Sequence, residues 1–161
     1  MASKKKPASR KAAAPDAIKL LKDDHVKVRG LLAQFETATG ARREKLRVQI
    51  DKELKVHTQI EEEIFYPAYR DAAKKKEDKK IFFEAMQEHH VVDLVLPEVA
   101  DGQSPEELKA KAKVLKELVE HHADEEEKEM FPRAKKVLDK DELRALGEQL
   151  QQRKTELMGV K

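Results

Sequence analysis

Apolar residues recur at helical spacing in five stretches of the chain. The alternation of three and four positions predicts that each stretch is a helix with one buried face. The predicted helices span about residues 16–37, 42–65, 79–100, 104–130 and 140–157. The first one has a histidine in the middle of its apolar series: Ile18, Leu21, His25, Val28, Leu32, Phe35.

The first two helices resemble the next two in sequence. The series Phe82, Ala85, His89, Val92, Leu96, Val99 repeats that of the first helix 64 positions later, with His89 in place of His25. Short connections force consecutive helices to be antiparallel neighbours. We therefore predict an all-α, up-down-up-down four-helix bundle at residues 16–138, with an additional C-terminal helix in 139–161 packed on it.

Local signals set the expected helix ends. Gly40 is a plausible stop for the first helix, and the charged segment 74–80 is expected to be a connection. Pro67 and Pro132 lack a backbone donor and should kink or break their helices, as Pro97 should bend the third helix near its end. The stretch from Ser104 to Glu107 has the pattern of a capping box with proline at the first helical position.

A histidine followed four positions later by a glutamate occurs at His57–Glu61 and again at His122–Glu126, 65 positions on. Residues four apart lie on the same face of a helix. In both cases these residues replace apolar ones in the inward-facing series. Because an unpaired buried carboxylate is very costly, two of them require a cation or a proton.

The inward-facing polar residues form a set of four imidazoles and two carboxylates: His25, His57, Glu61, His89, His122 and Glu126. Six ligands are too many for one tetrahedral zinc ion and too rich in nitrogen for calcium or magnesium. Two metal ions, each with two histidines and both bridged by the glutamates, would satisfy every group. Imidazole with carboxylate suits iron, and manganese or zinc are alternative occupants.

Several neighbouring residues have a second interpretation. His90 and His121 are expected to be partly exposed, and His121 with Glu125 is the alternative ligand pair. Tyr66 is expected to serve packing, with hydrogen bonding or redox chemistry at the centre as the alternative. Four glutamates are expected to form a solvated face: Glu62, Glu63, Glu127 and Glu129. As the alternative, Glu62 or Glu127 could orient a ligand histidine.

Composition excludes several classes of protein. Of the 161 residues, 41% are charged and 4% are aromatic, which suits long amphipathic helices better than a sheet. The absence of cysteine excludes disulfides and zinc–thiolate sites. No apolar run approaches the ~20 residues of a membrane span, and no signal peptide is recognisable, so a cytoplasmic location is expected. Residues 1–15 are predicted to be a disordered basic tail, for which weak contact with nucleic acid is the less favoured role.

Four motifs resemble those of the hemerythrin-like, or HHE cation-binding, domain family. They are the segments around His25, from His57 to Pro67, around His89, and from His122 to Pro132, in this order over about residues 16–138. The resemblance implies a non-haem di-iron centre, oxo- or hydroxo-bridged, that meets O2, NO or peroxide. It also implies that the ligands are the six residues named above.

The match to oxygen-carrying hemerythrins is less complete. These have a second histidine four positions after the one on the third helix, where this chain has Asp93. We expect Asp93 to pair with a basic residue such as Arg29, with a role as replacement ligand as the alternative. Three functions follow as hypotheses: binding or sensing of a small molecule, an enzyme acting on peroxide or NO, and iron storage or delivery.

Overall fold

A computed structural model of the protein describes residues 13–159, and all regular structure in this range is helical. The α-helices are α1 (Ala17–Thr37), α2 (Gly40–Ile60), α3 (Tyr66–Ala72), α4 (Lys76–Val95), α5 (Pro105–Glu125), α6 (Phe131–Val137) and α7 (Lys140–Met158). Two π-helical segments, Glu61–Phe65 and Glu126–Met130, join α2 to α3 and α5 to α6, and a 3-10 segment, Leu96–Ala100, extends α4.

The helices form an antiparallel four-helix bundle with one extra helix, as the sequence predicts. The four members of the bundle are α1, then α2 continued by α3, then α4, and finally α5 continued by α6. Helix α1 packs against α2 and α5, and α4 packs against α5 and α3. Helix α7 lies against α1 and α2 and covers one side of the bundle. Among residues 13–159, no helix combines the length and the apolar character that crossing a membrane requires.

The prolines do not break their helices, so the predicted break at Pro67 and Pro132 is wrong. In each case the helix widens to a π-turn just before the proline and then continues for another two turns. The N–H of Tyr66 donates to the carbonyl of Glu61, and that of Phe131 donates to the carbonyl of Glu126. The wider turn accommodates the missing proline donor without ending the helix.

Other predicted helix ends shift by a few residues. Gly40 does not stop α1, because α1 ends at Thr37 and Gly40 is the first residue of α2, with a φ of 57° that suits glycine. Helix α4 begins at Lys76, inside the segment expected to be a connection. Ser104 accepts the N–H of Glu107 at 3.1 Å, but the Glu107 carboxylate accepts from Gln103, so the predicted capping box is only half formed.

The core consists of two apolar clusters. One is built around Tyr66, Phe131 and the start of α1, and α7 contributes Leu150 to it; the other is built around Phe35 and Leu115. The close approach of α7 to the start of α1 depends on Gly147, since a Cβ there would lie 2.1 Å from the carbonyl oxygen of Pro15. The predicted tail falls largely on residues 1–12, outside the described residues.

Candidate metal centre

The six inward-facing residues predicted from the sequence lie together in the middle of the bundle. Each has an exposed fraction of 5% or less: His25, His57, Glu61, His89, His122 and Glu126. One histidine comes from each of the helices α1, α2, α4 and α5, and each glutamate is the first residue of a π-helical segment. The sequence repeat therefore appears in space as two similar halves that meet at one level.

Glu61 has one carboxylate oxygen on each side of the centre. Its Oε1 lies 3.1 Å from Nε2 of His57, and its Oε2 lies 3.1 Å from Nε2 of His89. The carboxylate therefore lies between two imidazoles from different helices, as a bridging ligand requires.

Glu126 repeats this arrangement from the other half of the bundle. Its Oε2 lies 3.1 Å from Nε2 of His25, and its Oε1 lies 3.6 Å from Nε2 of His122. The Nε2 atoms of His89 and His122 are 3.0 Å apart. Two groups of donor atoms result. Both carboxylates belong to the group of His25 and His57, whereas Glu61 completes the group of His89 and His122, which Glu126 approaches only at His122.

In the first group, four buried polar atoms have no hydrogen-bond partner among residues 13–159: Nε2 of His25, Nε2 of His57, Oε1 of Glu61 and Oε2 of Glu126. Buried polar atoms of folded proteins nearly always have a partner. These four converge within 4.8 Å of one another, and imidazole nitrogen with carboxylate oxygen is a donor set for transition metals. The residues present therefore fit a metal ion, which would satisfy all four atoms.

Each of the four histidines presents its other ring nitrogen, Nδ1, to a carboxylate. His57 pairs with Asp24 at 3.2 Å, His122 with Glu88 at 2.5 Å, His89 with Glu62 at 2.8 Å and His25 with Glu127 at 2.8 Å. Such contacts fix the tautomer and the ring orientation of histidine ligands. All four imidazoles are thus oriented with Nε2 towards the interior.

Only two of these outer carboxylates are predicted from the sequence. Glu62 and Glu127 have an orienting role as the alternative to a solvated face, whereas Asp24 and Glu88 have no predicted role. The signal was nevertheless present, because an acid precedes the histidine in both Asp24-His25 and Glu88-His89. Each of these acids contacts the histidine of the neighbouring helix, a pairing that local spacing does not reveal.

The electrostatics of the cluster favour the charged forms of His57 and Glu61. Burial disfavours the protonated form of His57, but Glu61 and Asp24 outweigh it and hold the pKa of His57 well above its ordinary value. Burial likewise opposes ionisation of Glu61, yet His57 and His89 keep its pKa well below the usual range. The cluster thus holds Glu61 as a carboxylate, the form that binds a cation.

Tyr66 is part of the centre. Its hydroxyl donates to Oε1 of Glu126 at 2.6 Å and lies 3.1 Å from Nε2 of His89. Burial, then Glu126 and Glu61, raise the pKa of Tyr66 well above its ordinary value, which keeps the phenol protonated. The structure therefore favours the alternative interpretation of this residue, as a hydrogen-bond donor at the centre.

The remaining candidates lie outside the buried cluster. Asp93 is exposed, and the expected pair with Arg29 is wrong, because Arg29 contacts Asp124 and Glu127 instead. His90 is exposed. His121 does lie near Glu125, at 3.3 Å, but on the outer surface.

The fold and the cluster define an all-α bundle protein with a buried histidine–carboxylate cluster that fits a metal ion. The chain belongs to the hemerythrin HHE cation-binding family, since the family model "Hemerythrin HHE cation binding domain" matches residues 16–134. The resemblance read from the four motifs is thereby confirmed.

A solved structure gives the same result. The crystal structure of a hemerythrin HHE cation binding domain-containing protein from Mycobacterium kansasii is similar to this chain, with a TM-score of 0.79 and 31% sequence identity. The match covers 90% of this chain and 88% of the other. No curated protein matches the sequence.

Proposed function

We propose that this protein is a non-haem di-iron protein that binds or senses O2, NO or peroxide. The observation that carries the proposal is the pair of carboxylates, each with one oxygen facing the histidines of one group and the other oxygen facing the second group. Two cations bridged by Glu61 and Glu126 would use all these atoms. Imidazole and carboxylate together suit iron, with manganese or zinc as alternatives.

The proposed ligands divide between the two ions. His25 and His57 would hold one ion, His89 and His122 the other, and the two glutamates would bridge them. Bound iron would supply the electrons for reversible binding or reduction of a small oxygen- or nitrogen-containing molecule. The outer carboxylates would keep the histidines oriented, and the apolar clusters on both sides would keep bulk water out.

A small cavity next to the histidines supports a small ligand. Its volume is about 20 Å3, and its walls include the four histidines and the apolar residues Val28, Leu54, Val92 and Val119. A volume of this size holds about one water-sized molecule. A diatomic molecule or peroxide is therefore a better candidate than any organic substrate.

Reconstitution tests the proposal. Anaerobic addition of Fe2+ followed by O2 should give near-ultraviolet ferric absorption at two irons per chain. His57→Ala should lose much of the bound iron and the absorption, whereas His90→Ala, which changes an exposed histidine, should retain both. A native chain without a metal-dependent band, or a His57→Ala chain that behaves like the native one, would contradict a di-iron centre at this site.

Tyr66 favours a second candidate function, an enzyme that decomposes hydrogen peroxide or reduces NO. Cleavage of the O–O bond needs a proton on the departing oxygen, and NO reduction also consumes protons, together with electrons from an external donor. The Tyr66 hydroxyl is a protonated, buried donor inside the cluster. Positioned proton donors contribute roughly 100-fold or more to such reactions.

The two functions are separated by turnover. If the protein is a peroxide-decomposing enzyme, oxygen evolution from peroxide should scale with bound iron and fall by about 100-fold in Tyr66→Phe without loss of iron. Tyr69→Phe is the matched control, because the Tyr69 hydroxyl donates to Asp78, away from the cluster. Equal turnover in Tyr66→Phe and the native chain would exclude a role of this phenol as proton donor.

The third hypothesis is iron storage or delivery, which requires iron to exchange with a partner or with solution. The six candidate ligands are all buried, so they do not support this hypothesis. A cytoplasmic location and contact of the basic tail with nucleic acid stay predictions from the sequence.

A further inference from the structure

The two halves of the centre differ in what neutralises the carboxylates around them. Asp24 and Glu88 occupy equivalent positions, 64 residues apart in the repeat. Each uses one oxygen to accept from Nδ1 of a histidine, Asp24 from His57 and Glu88 from His122. The other carboxylate oxygen of each residue contacts a second side chain, and this second side chain differs between the two halves.

In the first half, the second oxygen of Asp24 pairs with a lysine. Lys154, on α7, places its ammonium group on Oδ1 of Asp24. A series of side-chain contacts therefore connects the ammonium group of Lys154, the carboxylate of Asp24 and the imidazole of His57. Helix α7 supplies this cation because it packs against α1 and α2.

In the second half, the second oxygen of Glu88 faces a surface cluster. Oε1 of Glu88 lies 3.4 Å from Nε2 of His121, which in turn lies 3.3 Å from Oε1 of Glu125. Within residues 13–159, no lysine or arginine pairs with Glu88 or Glu125. Two carboxylates therefore share one imidazole at the position where the first half has an ammonium group.

We propose that Glu88, His121 and Glu125 form a separate metal site, on the surface, for a divalent transition-metal ion. Their nearest oxygen and nitrogen atoms lie within 4.8 Å of one another. Ligands at about 2.1 Å from a tetrahedral ion are about 3.4 Å apart, and the two separations from His121 are 3.3 and 3.4 Å. One imidazole with two carboxylates is a donor set for Zn2+, Fe2+ or Mn2+.

The site is open to solvent, unlike the buried centre. A surface cleft of about 560 Å3 lies over the three residues, with Phe83 and Gln87 among its other walls. His121 itself is 63% exposed at its side chain. Water can therefore complete the coordination, and an ion bound here exchanges with solution.

Glu88 links this surface site to the buried centre. While Oε1 binds the outer ion, Oε2 still accepts from Nδ1 of His122 at 2.5 Å. The outer ion thus holds Glu88 in position for His122, as Lys154 holds Asp24 for His57. The two halves are equivalent in this respect, with a metal ion in one and an ammonium group in the other.

Equilibrium dialysis against micromolar free Zn2+, followed by metal analysis of the folded chain, tests the proposal. The native chain should bind one ion more than His121→Ala and one more than Glu125→Gln. His90→Ala is the matched control, since it removes a neighbouring exposed histidine outside the cluster, and it should bind as many ions as the native chain. The imidazole NMR signals of His121 should shift only as the additional ion binds.

The readout is a difference of one ion, so it does not depend on how many ions the buried centre holds. Failure of the di-iron proposal would lower the counts of all chains equally and leave this difference unchanged. Equal counts for the native chain, His121→Ala and Glu125→Gln would overturn the surface site. So would an additional ion that is also lost in His90→Ala, or one that binds only at millimolar Zn2+. Helicity measured by circular dichroism shows that each variant is folded.

Discussion

The metal-free protein should lose stability as the pH rises from 6.5 to 9. Burial opposes protonation of His89, but its hydrogen bonds to Glu61 and Glu62 outweigh burial and raise its pKa from the ordinary 6.5 to about 9. Between these two values the folded chain keeps a proton on His89 that the unfolded chain has lost. The stabilisation of the folded state by protonated His89 is fully present below pH 6.5 and is lost as the pH rises through 9.

The size of this loss follows from linkage. Where the native state binds one proton more than the unfolded state, the free energy of unfolding falls by about 1.4 kcal/mol per pH unit. The two pKa values of His89 differ by about 2.5, which corresponds to about 3 kcal/mol in total. His57, whose pKa is also raised despite its burial, contributes a loss of the same sign.

Urea denaturation of the chelator-treated protein at several pH values measures the effect. Glu62→Gln weakens one of the two hydrogen bonds of His89 and should make the loss smaller. Glu148→Gln, an exposed change on α7, should not alter it. Metal-loaded protein should show little of the slope, because coordination requires unprotonated imidazoles. A metal-free protein whose free energy of unfolding is constant or rises between pH 6.5 and 9 would refute the reasoning.

Three other changes have defined outcomes. Gly147→Ala places a Cβ 2.1 Å from a backbone oxygen and should lower the free energy of unfolding, measured by thermal unfolding, by about 2 kcal/mol. Gly30→Ala, in open space on α1, should instead raise it by about 1 kcal/mol. A Gly147→Ala protein that is more stable than the Gly30→Ala protein would contradict the close packing of α7. Asp24→Ala removes the acceptor of a ligand histidine and should lower metal affinity by about 10- to 100-fold in chelator competition, whereas exposed Asp23→Ala should not. Metal at 100 times its dissociation constant should raise the free energy of unfolding by about 3 kcal/mol, and equal melting curves with and without chelator would contradict binding to the folded state.

The helices and the inward positions of the ligand candidates could be predicted because both depend on local spacing. A period of three to four residues assigns each position to a face, so His25 and His89 could be placed in the core from their apolar neighbours alone. The repeat then implied that the equivalent residues of both halves meet. The clustering of all six side chains follows from these two facts.

The π-turns cannot be predicted from the prolines, for a physical reason. Proline predicts the loss of one helical hydrogen bond, but a kink, a helix end and a widened turn are all consistent with that loss. Packing of α3 and α6 into the apolar core decides among them. Tyr66 and Phe131, whose backbone N–H groups donate the hydrogen bonds of the two π-turns, are both buried there.

The sequence by itself determined the all-helical class, the two similar hairpins and the six polar residues that face inward, because each depends on neighbours within a few positions. Only the tertiary structure decided which carboxylate holds which histidine, that Tyr66 points into the centre, and that Lys154 reaches Asp24 from α7. These contacts join residues up to 130 positions apart. They depend on how the helices are rotated and shifted against one another, which the packing of the whole core determines.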